Sequence, residues 1–247
     1  MKNYFVIGNK VSKSLSPTIF NHWFKKYKIN ARYSFVEVNK KNFHKVILNK
    51  LNEKNVAGFN VTTPFKKDIL EHLSTTNIHA KKIGAVNCVK VEKKIRGINT
   101  DWVGYLNSIK GLKIHKTKKI LILGYGGAAQ AIVYGLLFSG YKNVTVFNRS
   151  KKTINFYKHK TYTKKYSLIE RHITKADLLI NTTPTNPLNR KQTKSVCEKA
   201  VVSDIVYRPK QTTFLKNFKK NKKIYGISML IEQAVPTFRL WFGFEPT

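Results

Sequence analysis

Apolar positions along the chain fall into two rhythms. Short apolar runs at Tyr4 to Ile7, Tyr33 to Val38 and Val56 to Val61 predict strands, and helical spacing predicts helices over about Pro17 to Tyr27, Asn42 to Leu51 and Lys66 to Leu73. Ser16 stands as the cap before Pro17, and Pro64 similarly precedes the Lys66 helix. Ala85 to Val91 and Ile95 to Asn99 flank a turn at Lys93-Lys94 and predict a hairpin, after which Thr100-Asp101 opens a helix over Trp102 to Lys110. A second series begins at Lys118: strand Ile120 to Leu123, a glycine turn, a helix to about Ser139, then strands Asn143 to Phe147, Leu178 to Asn181, Val201 to Val206 and Ile224 to Ile227. Met229 to Trp241 reads as a closing amphipathic helix. This alternation predicts an α/β fold, with a parallel, doubly wound sheet in the second unit.

Length and composition narrow the picture. A chain of 247 residues with 42% hydrophobic content supports one large or two modest domains with a real core, which excludes long disorder. Ile120 to Tyr141 is uncharged and long enough to cross a bilayer, but Gly124, Gly126 and Gly127 interrupt it, so strand, turn and helix account for it better. Two cysteines, Cys88 and Cys197, allow at most one disulfide, and Met1 to Gly8 carries no signal-peptide pattern, which makes a reducing cytoplasm the expectation. The net charge of +35 attracts polyanions, yet only 7 of 47 basic residues are Arg and the lysine pairs are dispersed along the chain. That dispersal describes a solvated lysine-rich surface; a specific nucleic-acid reader is not expected.

Gly124-Tyr125-Gly126-Gly127-Ala128-Ala129 follows a four-residue apolar strand and opens a helix, the context of a dinucleotide fingerprint. Gly124 permits the tight turn, Gly126 lets backbone approach a pyrophosphate, and Ala129 takes the position where a small residue packs helix on strand. A plain glycine turn between strand and helix has the same look. At the end of the next strand, where an NAD site carries Asp or Glu, stands Asn148-Arg149-Ser150-Lys151-Lys152. A guanidinium there forks onto a 2′-phosphate that a carboxylate would repel, so NADP is the expected cofactor.

The first unit holds the reactive candidates. Gly58-Phe59-Asn60-Val61-Thr62-Thr63-Pro64-Phe65-Lys66 ends a strand and turns at a proline, projecting Lys66 from a strand's carboxyl end. Lys66 is either a general acid/base or one solvated lysine of 40, and Asp101 is either its partner or an ordinary helix-start carboxylate. Ser14-Leu15-Ser16-Pro17 presents two hydroxyls one residue apart before a helix N-terminus, an arrangement that suits a small carboxylate.

Together with Gly84-Ala85-Val86-Asn87, Asp204-Ile205-Val206-Tyr207-Arg208-Pro209 and Gly226-Ile227-Ser228-Met229-Leu230-Ile231-Glu232-Gln233-Ala234, these segments resemble the shikimate dehydrogenase family nearly end to end and in the family's order. The resemblance implies a substrate-binding and catalytic domain from residues 1–101 and 227–247, and an inserted NADP-binding Rossmann domain from residues 102–226. It implies an active site in the cleft between them and reversible NADPH-dependent reduction of 3-dehydroshikimate to shikimate, a step of aromatic amino-acid biosynthesis. It further implies that Ser14 and Ser16 bind the substrate carboxylate with Tyr207 nearby, and that Thr62, Asn87 and Gln233 hold the ring substituents. Lys66 is implied as the acid/base at the C3 oxygen with Asp101 on the same centre. Gly124, Gly126, Gly127, Ala128, Ala129, Asn148, Arg149, Ser150 and Lys152 are implied to hold the cofactor, with Ile205, Gly226 and Met229 beside the nicotinamide. No metal is expected, no membrane and no specific nucleic acid, and the assembly is a monomer or homodimer. The sequence departs from the family's pattern at Thr185-Asn186-Pro187, where Gly-Met is usual, and at Thr153, where many members have a second Arg that Lys152 replaces. The rivals are an NAD-preferring quinate/shikimate dehydrogenase and, in another class, a non-catalytic basic nucleotide- or nucleic-acid-binding protein.

Overall fold

A computed structural model describes residues 1–156 and 159–247. The chain forms two compact units, one of residues 1–100 and 233–247, the other of residues 101–232.

The first unit runs β1 (Lys2–Gly8), α1 (Ser16–Lys26), β2 (Ala31–Glu37), α2 (Phe43–Asn52), β3 (Val56–Val61), a 3₁₀ turn (Asp68–His72), β4 (Thr75–Thr76), α3 (Ile78–Ile83), β5 (Cys88–Val91) and β6 (Ile95–Ile98). Its six strands make one mixed sheet in the order β2-β1-β3-β5-β6-β4. β1 lies parallel to β2 and β3, and the β5–β6 hairpin joins β3 antiparallel. β1 is apolar at every position from Tyr4 to Ile7 because both faces of the sheet are covered. Phe5 and Ile7 enter a core with Phe43, Phe59, Phe65 and Ile69, whereas Tyr4 and Val6 enter one with Phe20, Trp23, Tyr33, Phe238 and Trp241. Aromatic stacking at Phe5–Phe59 (4.9 Å) and Phe20–Tyr33 (4.6 Å) adds about 0.5–1.5 kcal/mol per pair beyond area burial.

The second unit contains α4 (Asp101–Lys110), β7 (Lys119–Leu123), α5 (Gly127–Phe138), β8 (Asn143–Phe147), the hairpin strands β9 (Thr153–Phe156) and β10 (His159–Tyr162), α6 (Glu170–Ile173), β11 (Leu178–Asn181), α7 (Arg190–Lys194), β12 (Val201–Asp204), α8 (Thr213–Lys216) and β13 (Lys223–Ile224). The final helix, α9 (Gly226–Phe242), begins in this unit and ends in the first. Strands β13-β12-β11-β7-β8 form a fully parallel sheet. Ile120 to Leu123 are all buried, as a parallel strand covered on both faces requires. The uncharged run from Ile120 is thus β7, a turn and α5, and among the described residues no helix is long and apolar enough to cross a membrane.

Four local expectations are corrected. Lys66 to Leu73 is a run of turns followed by the 3₁₀ segment, because the chain bends to stack Phe65 on Phe43 at 4.2 Å and to bury Ile69; its four-residue apolar spacing merely mimics a helix. Ser16 is the first residue of α1, not its cap: its N–H donates to Ser14 Oγ at 3.2 Å, so Ser14 supplies the oxygen. Extended structure after Val201 stops at Asp204, whose carboxylate accepts the Val206 N–H and turns the chain. The strand expected over Ile224 to Ile227 stops at Ile224 because Gly226 already begins α9. The pattern also missed α3, although Asn77 caps its first turn through Ala80 N–H (2.8 Å) and Gly84, at φ 70°, closes it.

Candidate active site

In the first unit, Asn87 and Gln233 lie 146 residues apart in sequence and meet in a buried hydrogen-bond network. Asn87 Nδ2 donates to Thr100 Oγ1 (2.9 Å) and Gln233 Oε1 (3.3 Å), and Asn87 Oδ1 accepts the Thr100 N–H (2.7 Å). Thr100 Oγ1 lies 3.3 Å from both Gln233 Oε1 and Thr237 Oγ1, and Thr237 Oγ1 donates to the Gln233 carbonyl one helical turn back. On the other side, Tyr33 OH donates to Asn60 Oδ1 (2.8 Å) and Asn60 Nδ2 to the Asn87 carbonyl (3.0 Å). Interlocked buried amides and hydroxyls hold one arrangement, since rotation of any member leaves a desolvated group without a bond. Tyr33, Asn60, Thr100 and Thr237 were not singled out in the sequence. The available signal was Asn60 as a polar residue inside an apolar strand.

Backbone bonds gather further candidates around this network. The Val61 N–H donates to the Asn87 carbonyl (2.9 Å), Thr62 N–H to the Ile7 carbonyl (3.0 Å) and Val86 N–H to the Lys66 carbonyl (2.7 Å), so the half-buried Thr62 and Lys66 follow β3 on a stretch tied to the segment that carries Asn87 into β5. The Ser14–Ser16 segment is anchored by Glu37, whose Oε1 accepts the N–H groups of Val11 (2.8 Å) and Ser12 (2.9 Å). Hydrogen bonds from Ser12, then from Val11, hold the Glu37 carboxyl below its ordinary range. Asp101, the first residue of α4, follows Thr100 directly and is buried.

The glycine turn lies in the second unit. Gly124 has φ 95°, and a Cβ there would stand 2.7 Å from Thr182 Oγ1 and 2.8 Å from Thr183 Cγ2, so both conformation and space call for glycine. The residues over it form a rigid loop: Thr182 Oγ1 donates to the Leu123 carbonyl (2.7 Å), and Asn181 Oδ1 accepts from Thr183 N (3.1 Å) and Oγ1 (2.8 Å). At the Thr185-Asn186-Pro187 departure, Asn181 Nδ2 donates to the Thr185 carbonyl (3.2 Å) and Asn186 Oδ1 accepts the Leu188 N–H (3.1 Å), so side-chain bonds shape this stretch as well. At the head of α5, Gly126 is extended and exposed, a Cβ on it would meet nothing, and the helix has neither a side-chain cap nor an acidic residue in its first turn. The N–H groups of Gly127, Ala128 and Ala129 thus open a helix N-terminus suited to a diphosphate, and Ala129 is buried against the sheet as expected.

Beyond β8, Asn148 Nδ2 donates to the Ser150 carbonyl (3.0 Å), and Thr163 pins the same loop by accepting Lys152 N–H (2.9 Å) and donating to the Ser150 carbonyl (3.1 Å). Arg149 and Lys152 are held exposed at its tip. Burial pushes the Tyr166 hydroxyl up, while hydrogen bonding to the Gly124 backbone and the Arg149 charge pull it down, so Tyr166 lies alongside both cofactor candidates. These residues fit an NADP 2′-phosphate and diphosphate. Asp204 accepts from Thr212 Oγ1 (2.6 Å) and Val206 N–H (3.0 Å), shaping the segment that carries half-buried Ile205 and Tyr207. Burial raises its carboxyl above the ordinary range. Gly226 abuts the Ile205 carbonyl so closely that a side chain has no room, and Met229 is buried one turn further along α9. Among the described residues no His, Cys, Asp and Glu cluster could hold a metal ion.

Two family models cover most of the chain: the shikimate dehydrogenase substrate binding domain over residues 6–89 and shikimate / quinate 5-dehydrogenase over residues 108–214. The NADP(+) shikimate dehydrogenase of Clostridium beijerinckii is 38% identical across 98% of this chain and 92% of its own length. This chain belongs to the shikimate dehydrogenase family. Two solved shikimate dehydrogenases extend the likeness to the fold. That of Aquifex aeolicus superposes with a TM-score of 0.86 at 34% identity, covering 100% of this chain and 94% of that one. That of Thermus thermophilus, in complex with NADP(H) and shikimate, gives 0.85 at 28% identity, covering 100% and 95%.

Proposed function

We propose that this protein is an NADP-dependent shikimate dehydrogenase, catalysing reversible reduction of 3-dehydroshikimate to shikimate in aromatic amino-acid biosynthesis. The observation that carries the reading is the buried Asn87–Thr100–Gln233 network beside Lys66, in a chain that belongs to this family throughout its length. NADPH, when bound, supplies the hydride. Residues 1–101 and 227–247 serve the substrate, and residues 102–226 the nucleotide.

The roles follow from chemistry. Reduction of a ketone develops negative charge on its oxygen, and the Lys66 ammonium stabilises that charge and delivers the proton, with Asp101 hydrogen-bonding the same centre. In the reverse direction the neutral amine accepts the proton from the hydroxyl. Asn87 and Gln233, locked by Thr100, and Thr62 orient the ring substituents, while Ser14, Ser16 and Tyr207 bind the carboxylate. Backbone N–H groups from Gly126 to Ala129 bind the diphosphate, and Asn148, Arg149, Ser150 and Lys152 bind the 2′-phosphate. Ile205, Gly226 and Met229 border the nicotinamide. The enzyme acts in the cytoplasm as a monomer or homodimer, without a specific nucleic-acid partner.

The test is to mix purified protein with shikimate and either NADP⁺ or NAD⁺ and follow absorbance of the reduced nicotinamide, with quinate as a second substrate. Fast reduction of NADP⁺ by shikimate is expected. Preference for NAD⁺ overturns the Arg149 assignment, and silence with both from folded protein overturns the activity.

A further inference from the structure

The second unit contains a cavity of about 600 Å³ that none of the roles above uses. Its walls come from the segment after β11 and the segment between α8 and β13, on the β12–β13 side of the sheet; the Arg149 loop follows β8 at the opposite edge. The lining includes Arg190, Lys194, Lys216, Lys219 and Lys220, against one carboxylate, Glu198, which Lys220 already engages at 2.7 Å. Arg190 is one of only seven arginines in the chain. Leu188, Val196 and Phe218 lie behind the basic lining as buried members of the core of the unit.

The walls are fixed before any ligand arrives. Asn189 and Gln192 close a capping box (2.8 and 3.1 Å) that sets the first turn of α7, with Arg190 in it. Thr212 caps α8, which carries Lys216, by accepting the Leu215 N–H. Asn221 Nδ2 donates to the carbonyls of Cys197 (2.8 Å), Glu198 (3.2 Å) and Ala200 (2.9 Å), tying the two walls together. A concave site with five cations against one paired carboxylate concentrates anions far more than dispersed lysines on a convex surface do. Its volume lies within the range of sites for nucleotide-sized ligands.

We propose that this cavity is a second binding site, separate from the glycine turn, for a polyphosphate, the chemistry shared by nucleoside triphosphates and inorganic tripolyphosphate. The basic residues take the phosphates, Arg190 forking onto one of them.

The test is titration calorimetry of the full chain at physiological salt with saturating NADP⁺, which blocks the glycine turn, using ATP and inorganic tripolyphosphate as probes. The expected result is one ATP or one tripolyphosphate per chain with affinities within about threefold of each other, and at least tenfold loss of both in Arg190→Gln/Lys216→Gln. The surface control Lys40→Gln/Lys41→Gln leaves ATP binding unchanged. All four side chains are exposed, so the variants fold, and unchanged melting temperature and shikimate oxidation confirm it. ATP binding that NADP⁺ abolishes, that both double variants weaken equally, or that survives Arg190→Gln/Lys216→Gln overturns the proposal. Tripolyphosphate binding at least tenfold weaker than that of ATP overturns recognition through the phosphates.

Discussion

Thr100→Val tests whether the buried network works as a unit. Valine keeps the volume and branching of threonine and leaves the Thr100 N–H to Asn87 Oδ1 bond intact, so the change removes one hydroxyl at a site only 1% exposed. That hydroxyl accepts from Asn87 Nδ2 at 2.9 Å and faces Gln233 Oε1 and Thr237 Oγ1 at 3.3 Å. Leaving a buried polar partner unsatisfied costs about 1–3 kcal/mol. At about 1.4 kcal/mol per tenfold, that is a roughly 5- to 150-fold fall in the folded-to-unfolded ratio. With a urea slope of about 2 kcal/mol/M, the midpoint of the first unit falls by about 0.5–1.5 M. The assay is urea unfolding followed by fluorescence of Trp23 and Trp241, both in the core of this unit, in a Trp102→Phe background that silences the remaining tryptophan. In the same variant the KM for shikimate rises while that for NADP⁺ holds, and Thr100→Ser, which keeps the hydroxyl, restores the shikimate KM. An unchanged midpoint in Thr100→Val, or a shikimate KM that does not move, would refute the reasoning.

Lys66→Ala is expected to cut kcat by about 10²–10⁴ with little change in the shikimate KM, because the lost proton transfer belongs to the transition state; steady-state kinetics with intact turnover would remove Lys66 from the mechanism. Arg149→Ala loses a charge-assisted bond worth about 1.5–3 kcal/mol, so the KM for NADPH rises roughly 10- to 150-fold while that for NADH barely changes, and an equal rise for both would refute the 2′-phosphate contact. Burial, then the cations Lys164, Arg171 and Lys119, hold the His172 imidazole below its ordinary range, and Lys164 Nζ lies 3.1 Å from Nε2. The folded protein therefore binds fewer protons here than the unfolded chain. This contribution to stability is complete above pH about 6.5 and is lost as pH falls through the folded value. Melting curves across that window are expected to flatten in His172→Gln, and an unchanged slope would count against the assignment.

Local information was enough for much of the architecture. Strands Asn143–Phe147 and Leu178–Asn181 end where their apolar runs end, and the glycine turn is legible because Gly124, Gly126 and Gly127 stand between an apolar strand and a helix. Charge placement was equally local: Arg149, at the end of β8, carries the cofactor argument by residue type and position alone. Where the sequence misled, a distant partner outweighed local preference. Phe65 and Ile69 have helical spacing, but burial of Phe65 against Phe43 from another element bends the chain into turns.

The sequence by itself determined the periodicity, the turn chemistry and the residue types at the two candidate sites, because each is set by neighbours a few positions away. Only the tertiary structure decided that Asn87 and Gln233 meet across 146 residues through Thr100, that Thr163 pins the Arg149 loop, and that five scattered basic residues line one cavity. Those facts depend on which segments pack together, and a hydrogen bond between distant residues leaves no periodic trace in the chain.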